Sequence, residues 1–145
     1  MSDDEKKPCF ETTRRVEFHD TDMAGIVHFA NFFRYMESAE HAFLRSIGHP
    51  IHEKVGEAVI GWPRVNASCD YRSPAKFGDV LTVRVTLEEI RTRAVRYGFA
   101  FHVDPDAEPV ATGTITAVCV EMREEGIKAV PIPEAIRAGL EKVGN

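Results

Sequence analysis

The sequence predicts an α+β fold in which one long apolar helix is wrapped by a curved antiparallel sheet of about five strands. Three observations carry the prediction. Apolar residues recur at three- and four-residue steps from about His28 to Ile47, the period of a one-sided helix. A two-residue period precedes this segment and returns after it, which is the signature of strands with one dry face. Finally, a helix with so wide an apolar stripe must be covered, and a single curved sheet is the only large apolar partner the chain offers.

The elements follow in order. Met1–Lys7 is acidic and then basic with no apolar core behind it, so residues 1–10 read as a disordered tail and not a signal peptide. Residues 11–145 read as one domain, the expected number for a chain of 145 residues. Thr12–Phe18 alternates, with Val16 and Phe18 on one side and Arg15 and Glu17 on the other, and ends in the turn-prone Asp20-Thr21-Asp22. The helix stripe is Phe29, Phe32, Phe33, Met36, Ala39, Phe43, Leu44 and Ile47, with Arg34, Glu37, His41 and Arg45 mainly off it. Gly48 and Pro50 then supply a left-handed cap and a stop.

Beyond the helix, Ala58–Trp62 is a short strand candidate. Val65, Ala67, Cys69 and Tyr71 form one alternating set, and Leu81, Val83, Val85 and Leu87 another. Val95–Val103 closes at Asp104-Pro105-Asp106, and Val110–Met122 reads as one long strand ending at Glu125-Gly126. Pro133-Glu134 opens a short last helix with Ile136, Leu140 and Val143 on one face. One sheet around one helix leaves edges to be paired, so a homodimer or a larger even assembly is expected.

Composition narrows the function. Hydrophobic residues make up 43% and charged residues 28%, and no apolar run approaches the ~20 residues of a membrane span, so membrane insertion is not expected and the cytoplasm is the expected location. Cys9, Cys69 and Cys119 are odd in number and far apart, which argues against a disulfide framework and a zinc site. A net charge of −5 gives no basic field for nucleic acid.

The chemistry-bearing stretch is His19–Phe32, which joins the first strand to the long helix. Two carboxylates and a glycine precede a helix start there, where unpaired N–H groups and the positive dipole end suit an oxygen that gains negative charge. An anionic Asp six or seven residues earlier can loop back to the same spot. Taken alone, Asp20-x-Asp22 is equally a turn and a helix cap. It is not a calcium loop, because Ala24 stands where an oxygen ligand is required and Asn31 where a bidentate Glu is. His49-x-x-His52 has no third ligand in view, and no Gly-x-Ser-x-Gly elbow occurs, so neither a metal site nor a serine hydrolase is indicated.

The whole pattern resembles the 4-hydroxybenzoyl-CoA thioesterase-like branch of the hotdog-fold thioesterases. The matching residues are Val16-Glu17-Phe18-x-Asp20-Thr21-Asp22-x-Ala24-Gly25-Ile26-Val27-His28-Phe29-Ala30-Asn31-Phe32, then Tyr71-Arg72-x-Pro74-Ala75-x-Phe77-Gly78-Asp79, then Ile132-Pro133, spread over about residues 12–140. The resemblance implies hydrolysis of an acyl-CoA without a cofactor, in a site built at a dimer interface and often within a homotetramer. It assigns catalysis to Asp22, as nucleophile or general base, and to the backbone N–H of Phe29 as the oxyanion donor. His28 and Asn31 become candidates for contact with substrate, and Arg91 and Arg93 for the nucleotide phosphates. Some relatives carry histidine at the Phe29 position, and this chain has His28 then Phe29, so a side-chain role does not transfer while a backbone role does. Trp62 is a candidate for the acyl pocket.

One carboxylate and one oxyanion site suffice for a thioester, because a thiol of pKa about 8.5 leaves readily without strong protonation. Glu37 and Glu40 are read as solvated or interfacial charges. The rival reading is a hotdog module that binds acyl-CoA or an acyl carrier without hydrolysing it, against which the intact Asp22 counts. A hotdog dehydratase would need a His-centred site that His28-Phe29-Ala30-Asn31 does not supply.

Overall fold

The computed structural model describes residues 6–144. Its strands are β1 (Phe10–Arg15), β2 (Glu53–Val55), β3 (Ala58–Gly61), β4 (Arg64–Tyr71), β5 (Val80–Ile90), β6 (Ala94–His102), β7 (Ala111–Val118), β8 (Val120–Arg123) and β9 (Gly126–Ala129). Helix α1 covers Asn31–Ser46 and α2 covers Glu134–Gly144. A five-stranded antiparallel sheet in the order β1-β5-β6-β7-β4 wraps α1, as the hotdog architecture requires. No helix among the described residues is long and apolar enough to cross a membrane.

The alternation in β5 buries Leu81, Val83, Val85 and Leu87 against α1, whose Phe32, Tyr35, Met36, Ala39, Phe43 and Leu44 face inward. Aromatic edges interlock there, with Phe43 against Tyr97 at 5.9 Å and Phe32 against Phe101 at 5.2 Å. Gly113 sets how close the helix comes: a Cβ on it would lie 2.6 Å from Met36 Sδ and 2.7 Å from the Ser68 carbonyl. Gly48 (φ 87°) ends α1 as expected, its N–H bonded to Arg45 O at 3.0 Å and that of His49 to Leu44 O at 2.9 Å.

Several boundaries differ from the expectation. Of the expected tail, residues 1–5 lie outside the described residues, while Cys9 donates to Val85 O at 2.8 Å and Phe10 already pairs with Val85. Phe18 is not on the buried side of a strand: β1 stops at Arg15, a 3-10 turn covers Phe18–Asp20, and Phe18 stands 76% exposed. The long strand after Val110 divides at Cys119, so that β8 leaves the first sheet and joins β3 in a second, four-stranded sheet, β2-β3-β8-β9. That sheet was not anticipated, since β2 and β9 are too short and polar to show a period. Nor does β4 have a dry face, for Val65 is 63% and Tyr71 46% exposed at the free edge of the sheet.

Candidate active site

The loop between β1 and α1 is built on Asp20. The residue is 5% exposed, its carboxylate accepts the Glu17 N–H at Oδ2 (3.0 Å), and its carbonyl accepts both the His28 N–H (2.9 Å) and the Asn31 side-chain amide (2.8 Å). Asp20 therefore closes the loop upon itself. Asp22, two residues on, makes a tight turn: its N–H donates to Ile26 O, its carbonyl accepts from Gly25 (φ 81°), and Oδ1 accepts the Ala24 N–H at 2.8 Å. It is exposed, and no basic side chain pairs with it among the described residues.

The same loop is tied to a segment fifty residues later. Val27 N–H donates to Ala75 O at 2.8 Å and Ile26 bridges Lys76. These ties leave a cleft of about 410 Å³ lined by Asp22, Phe29, Phe32, Tyr71, Arg72 and Pro74, among others. Regular helix begins at Asn31 and not at His28, because the His28 carbonyl accepts Asn31 N–H at 2.9 Å in a separate turn. Phe29 consequently stands before the helix, off its apolar stripe and 63% exposed. Among the described residues nothing accepts the Phe29 N–H, which leaves a free donor on a residue that lines the cleft with Asp22.

The other candidates lie elsewhere within one chain. His28 stacks on Phe29 at 4.6 Å, its Nδ1 accepting the Ala30 N–H, and it does not line the cleft. Asn31 spends its amide on the loop. Trp62, 5% exposed, borders a separate groove of about 280 Å³ with Glu37, His41, Ile51 and Arg64. Arg91 and Arg93 are exposed between β5 and β6; Arg91 pairs with Glu89 at 3.0 Å and lines a third groove beside Arg137. No group of three His, Cys, Asp or Glu side chains that could hold a metal occurs among the described residues, and His49 is bonded to Glu53 at 2.7 Å.

Two groups escaped sequence reasoning. Tyr71 donates its hydroxyl to Phe29 O at 2.9 Å, a contact between positions too distant for any periodicity to reveal. Glu40, read as a solvated or interfacial charge, is fully buried within the chain and bonded to Arg64, with its second oxygen unpartnered among the described residues. Burial pushes its carboxyl up to about 7 against the pull of Arg64, and burial with Arg64 lowers His41. A signal existed: position 40 lies four residues from both Met36 and Leu44, on the buried stripe. Glu37 is exposed, as expected.

Comparison with known proteins places the chain in context. The model of the thioesterase-like superfamily matches residues 16–140. A 4-hydroxybenzoyl-CoA thioesterase from Pseudomonas sp. (strain CBS-3) is 31% identical over 83 residues, 56% of this chain and 59% of that protein. A 1,4-dihydroxy-2-naphthoyl-CoA hydrolase from Synechocystis is 27% identical over 125 residues, 86% of this chain and 89% of its own. Among solved structures, a protein from Aquifex aeolicus superposes with a TM-score of 0.77 at 32% identity, covering 90% of this chain and 98% of that one. A 1,4-dihydroxy-2-naphthoyl-CoA thioesterase from Synechocystis superposes with a TM-score of 0.82 at 25% identity, covering 94% and 98%.

Proposed function

The chain belongs to the thioesterase-like superfamily, and from that premise we propose that it hydrolyses an aromatic or short- to medium-chain acyl-CoA to the free acid and CoA, with Asp22 as the working carboxylate. The observation that supports this most is the single cleft shared by the Asp22 side chain and Phe29, whose N–H is free. A thioester carbonyl between them meets an anionic oxygen on carbon and a hydrogen-bond donor on oxygen. In one route Asp22 attacks, the C–S bond breaks, the thiolate keeps the electron pair, and water cleaves the mixed anhydride to restore Asp22. In the other Asp22 takes a proton from water as the water oxygen bonds to the carbonyl carbon, the C–S bond breaks with its electron pair on sulfur, and the proton passes to the departing thiolate or to solvent. Both balance without a cofactor.

A second copy completes this reading. The free edge of β4 has its Tyr71 end at the Asp22 cleft and its Arg64 end at the Trp62 groove. Antiparallel pairing of two β4 edges about a two-fold axis sets the Arg64 end of one copy beside the Tyr71 end of the other, which brings the partner's apolar groove to the cleft as acyl pocket. The expected assembly is a homodimer or homotetramer, and a monomer by light scattering at micromolar concentration overturns it.

The reaction is tested with a panel of acyl-CoA esters read by released thiol, on the wild type and on Asp22→Asn. Asn keeps the size and turn-forming ability of Asp and lacks its charge. The expected result is a fall in kcat of at least ~10²-fold with a smaller change in KM and an unchanged Tm and oligomer. Asp20→Asn, which alters the loop's support and not its open carboxylate, costs clearly less. Near-normal kcat in Asp22→Asn, or tight binding of acyl-CoA without release of thiol by the wild type, defeats the mechanism.

A further inference from the structure

The oxyanion donor in this reading is a peptide N–H that lies outside any helix or strand, so something must fix its direction. The peptide joining His28 to Phe29 carries the His28 carbonyl and the Phe29 N–H on opposite edges, as every trans peptide does. Its carbonyl is held by Asn31 N–H at 2.9 Å, and the His28 N–H on the preceding peptide is held by Asp20 O at 2.9 Å. This side of Phe29 is clamped by main chain.

The following peptide, Phe29 to Ala30, has no such clamp. Its N–H reaches only the His28 ring at 3.1 Å, and its carbonyl is held by the Tyr71 hydroxyl at 2.9 Å. Tyr71 is itself anchored in three ways: it closes β4, it pairs with Ala111 of β7, and its ring meets Phe32 edge-on at 5.6 Å. The phenol remains a donor throughout neutral pH, since loss of solvation pushes it up to about 12.

The geometry points to Tyr71 as a positioning residue: the main-chain bond to the His28 carbonyl sets the direction of the Phe29 N–H, and the Tyr71 hydroxyl, by tying the Phe29 carbonyl to the end of β4, holds that donor at its place in the Asp22 cleft. The inference rests on the thioesterase reading and adds a residue to it. Without the hydroxyl, the Phe29–Ala30 peptide keeps one bond to an exposed ring, and Phe29, itself 63% exposed, has little packing to restrain it. A donor free to drift from its place in the cleft loses part of the benefit of a fixed one, which is worth about 10²–10³ in kcat when removed outright.

Tyr71→Phe removes the hydroxyl and keeps the ring against Phe32. The expected result is a kcat lowered about tenfold, KM within about twofold, an unchanged Tm and oligomer, and faster amide hydrogen exchange at Ala30. Asp22→Asn is measured on the same substrate, so that the two readings fail separately. If Asp22→Asn is inactive and Tyr71→Phe keeps wild-type kcat, the positioning role is wrong and the thioesterase reading stands. A fall in kcat that comes with an equal rise in KM, or with a lowered Tm, also overturns it, because the hydroxyl then supports binding or the fold and not the placement of a donor.

Discussion

Asp22 stands before α1 in an exposed turn with no cation beside it among the described residues, whereas Glu40 stands in the middle of α1, completely buried and bonded to Arg64. A carboxylate out of water must be neutralised, paired or both, and Glu40 shows both responses: its carboxyl is raised to about 7 and a guanidinium covers one oxygen. Such a group has no open face for a substrate carbonyl. Asp22 has given up little solvation, and of its carboxylate oxygens only Oδ1 has a hydrogen-bond partner among the described residues. The contrast teaches that the loop before α1 leaves a carboxylate open to water while the middle of the helix buries one against the sheet, so that position and not residue type decides how far a carboxylate is from solvent.

Removing Glu40 should break that contrast most severely. Glu40→Ala leaves Arg64 without its partner and opens a cavity under the helix, and a loss on the order of 3 kcal/mol in unfolding free energy is expected, read by chemical denaturation. The folded fraction should keep kcat within about twofold. Asp22→Asn is expected to do the reverse. A Glu40→Ala protein as stable as the wild type but inactive would transfer the chemistry to the helix.

Glu40→Gln sharpens the comparison by separating charge from packing. With a folded value of about 7 against 4.5 for an ordinary Glu, the folded chain holds a proton between those pH values that the unfolded chain has released. Stability from this group is therefore greatest below about 4.5 and falls as pH rises toward 7, by up to roughly 3 kcal/mol. Gln carries no titratable proton. Relative to the wild type, the Gln variant should thus gain stability between pH 5 and pH 8; parallel profiles would mean that Glu40 is not the group that titrates.

How far the sequence could be read follows the same division. The α1 stripe and the alternation of β5 were legible because burial there repeats with the period of the element, and the Gly48 stop because a left-handed cap needs glycine. The Asp22 loop was legible as a motif and not as a shape: nothing linear showed that Phe29 would fall outside the helix or that Tyr71 would bind its carbonyl. Phe18 was misplaced because a two-residue period was carried into a turn. The long strand after Val110 was read as one because its alternation continues through Cys119, where the chain changes sheets. Glu40 was misread by residue type despite standing at a core position.

The smallest effect expected concerns Arg91 and Arg93, the exposed counterpart to Arg64. Arg64 is held against a buried carboxylate, while Arg91 faces water with Glu89 at 3.0 Å and Arg93 makes no ion pair among the described residues. Exposed pairs contribute ~0–1 kcal/mol, so losing both side chains should leave Tm nearly unchanged. Phosphate is a better partner than a mobile carboxylate, since a guanidinium donates two parallel bonds to it. If these arginines meet the CoA nucleotide, Arg91→Ala with Arg93→Ala raises KM for acyl-CoA several-fold, more at low salt than at high salt. Hydrolysis of a short thioester that lacks the nucleotide stays unchanged, because that substrate has no phosphate to lose. An equal loss on both substrates, with a lower Tm, would show that the turn between β5 and β6 needs its arginines to fold, and would remove the nucleotide from this part of the surface.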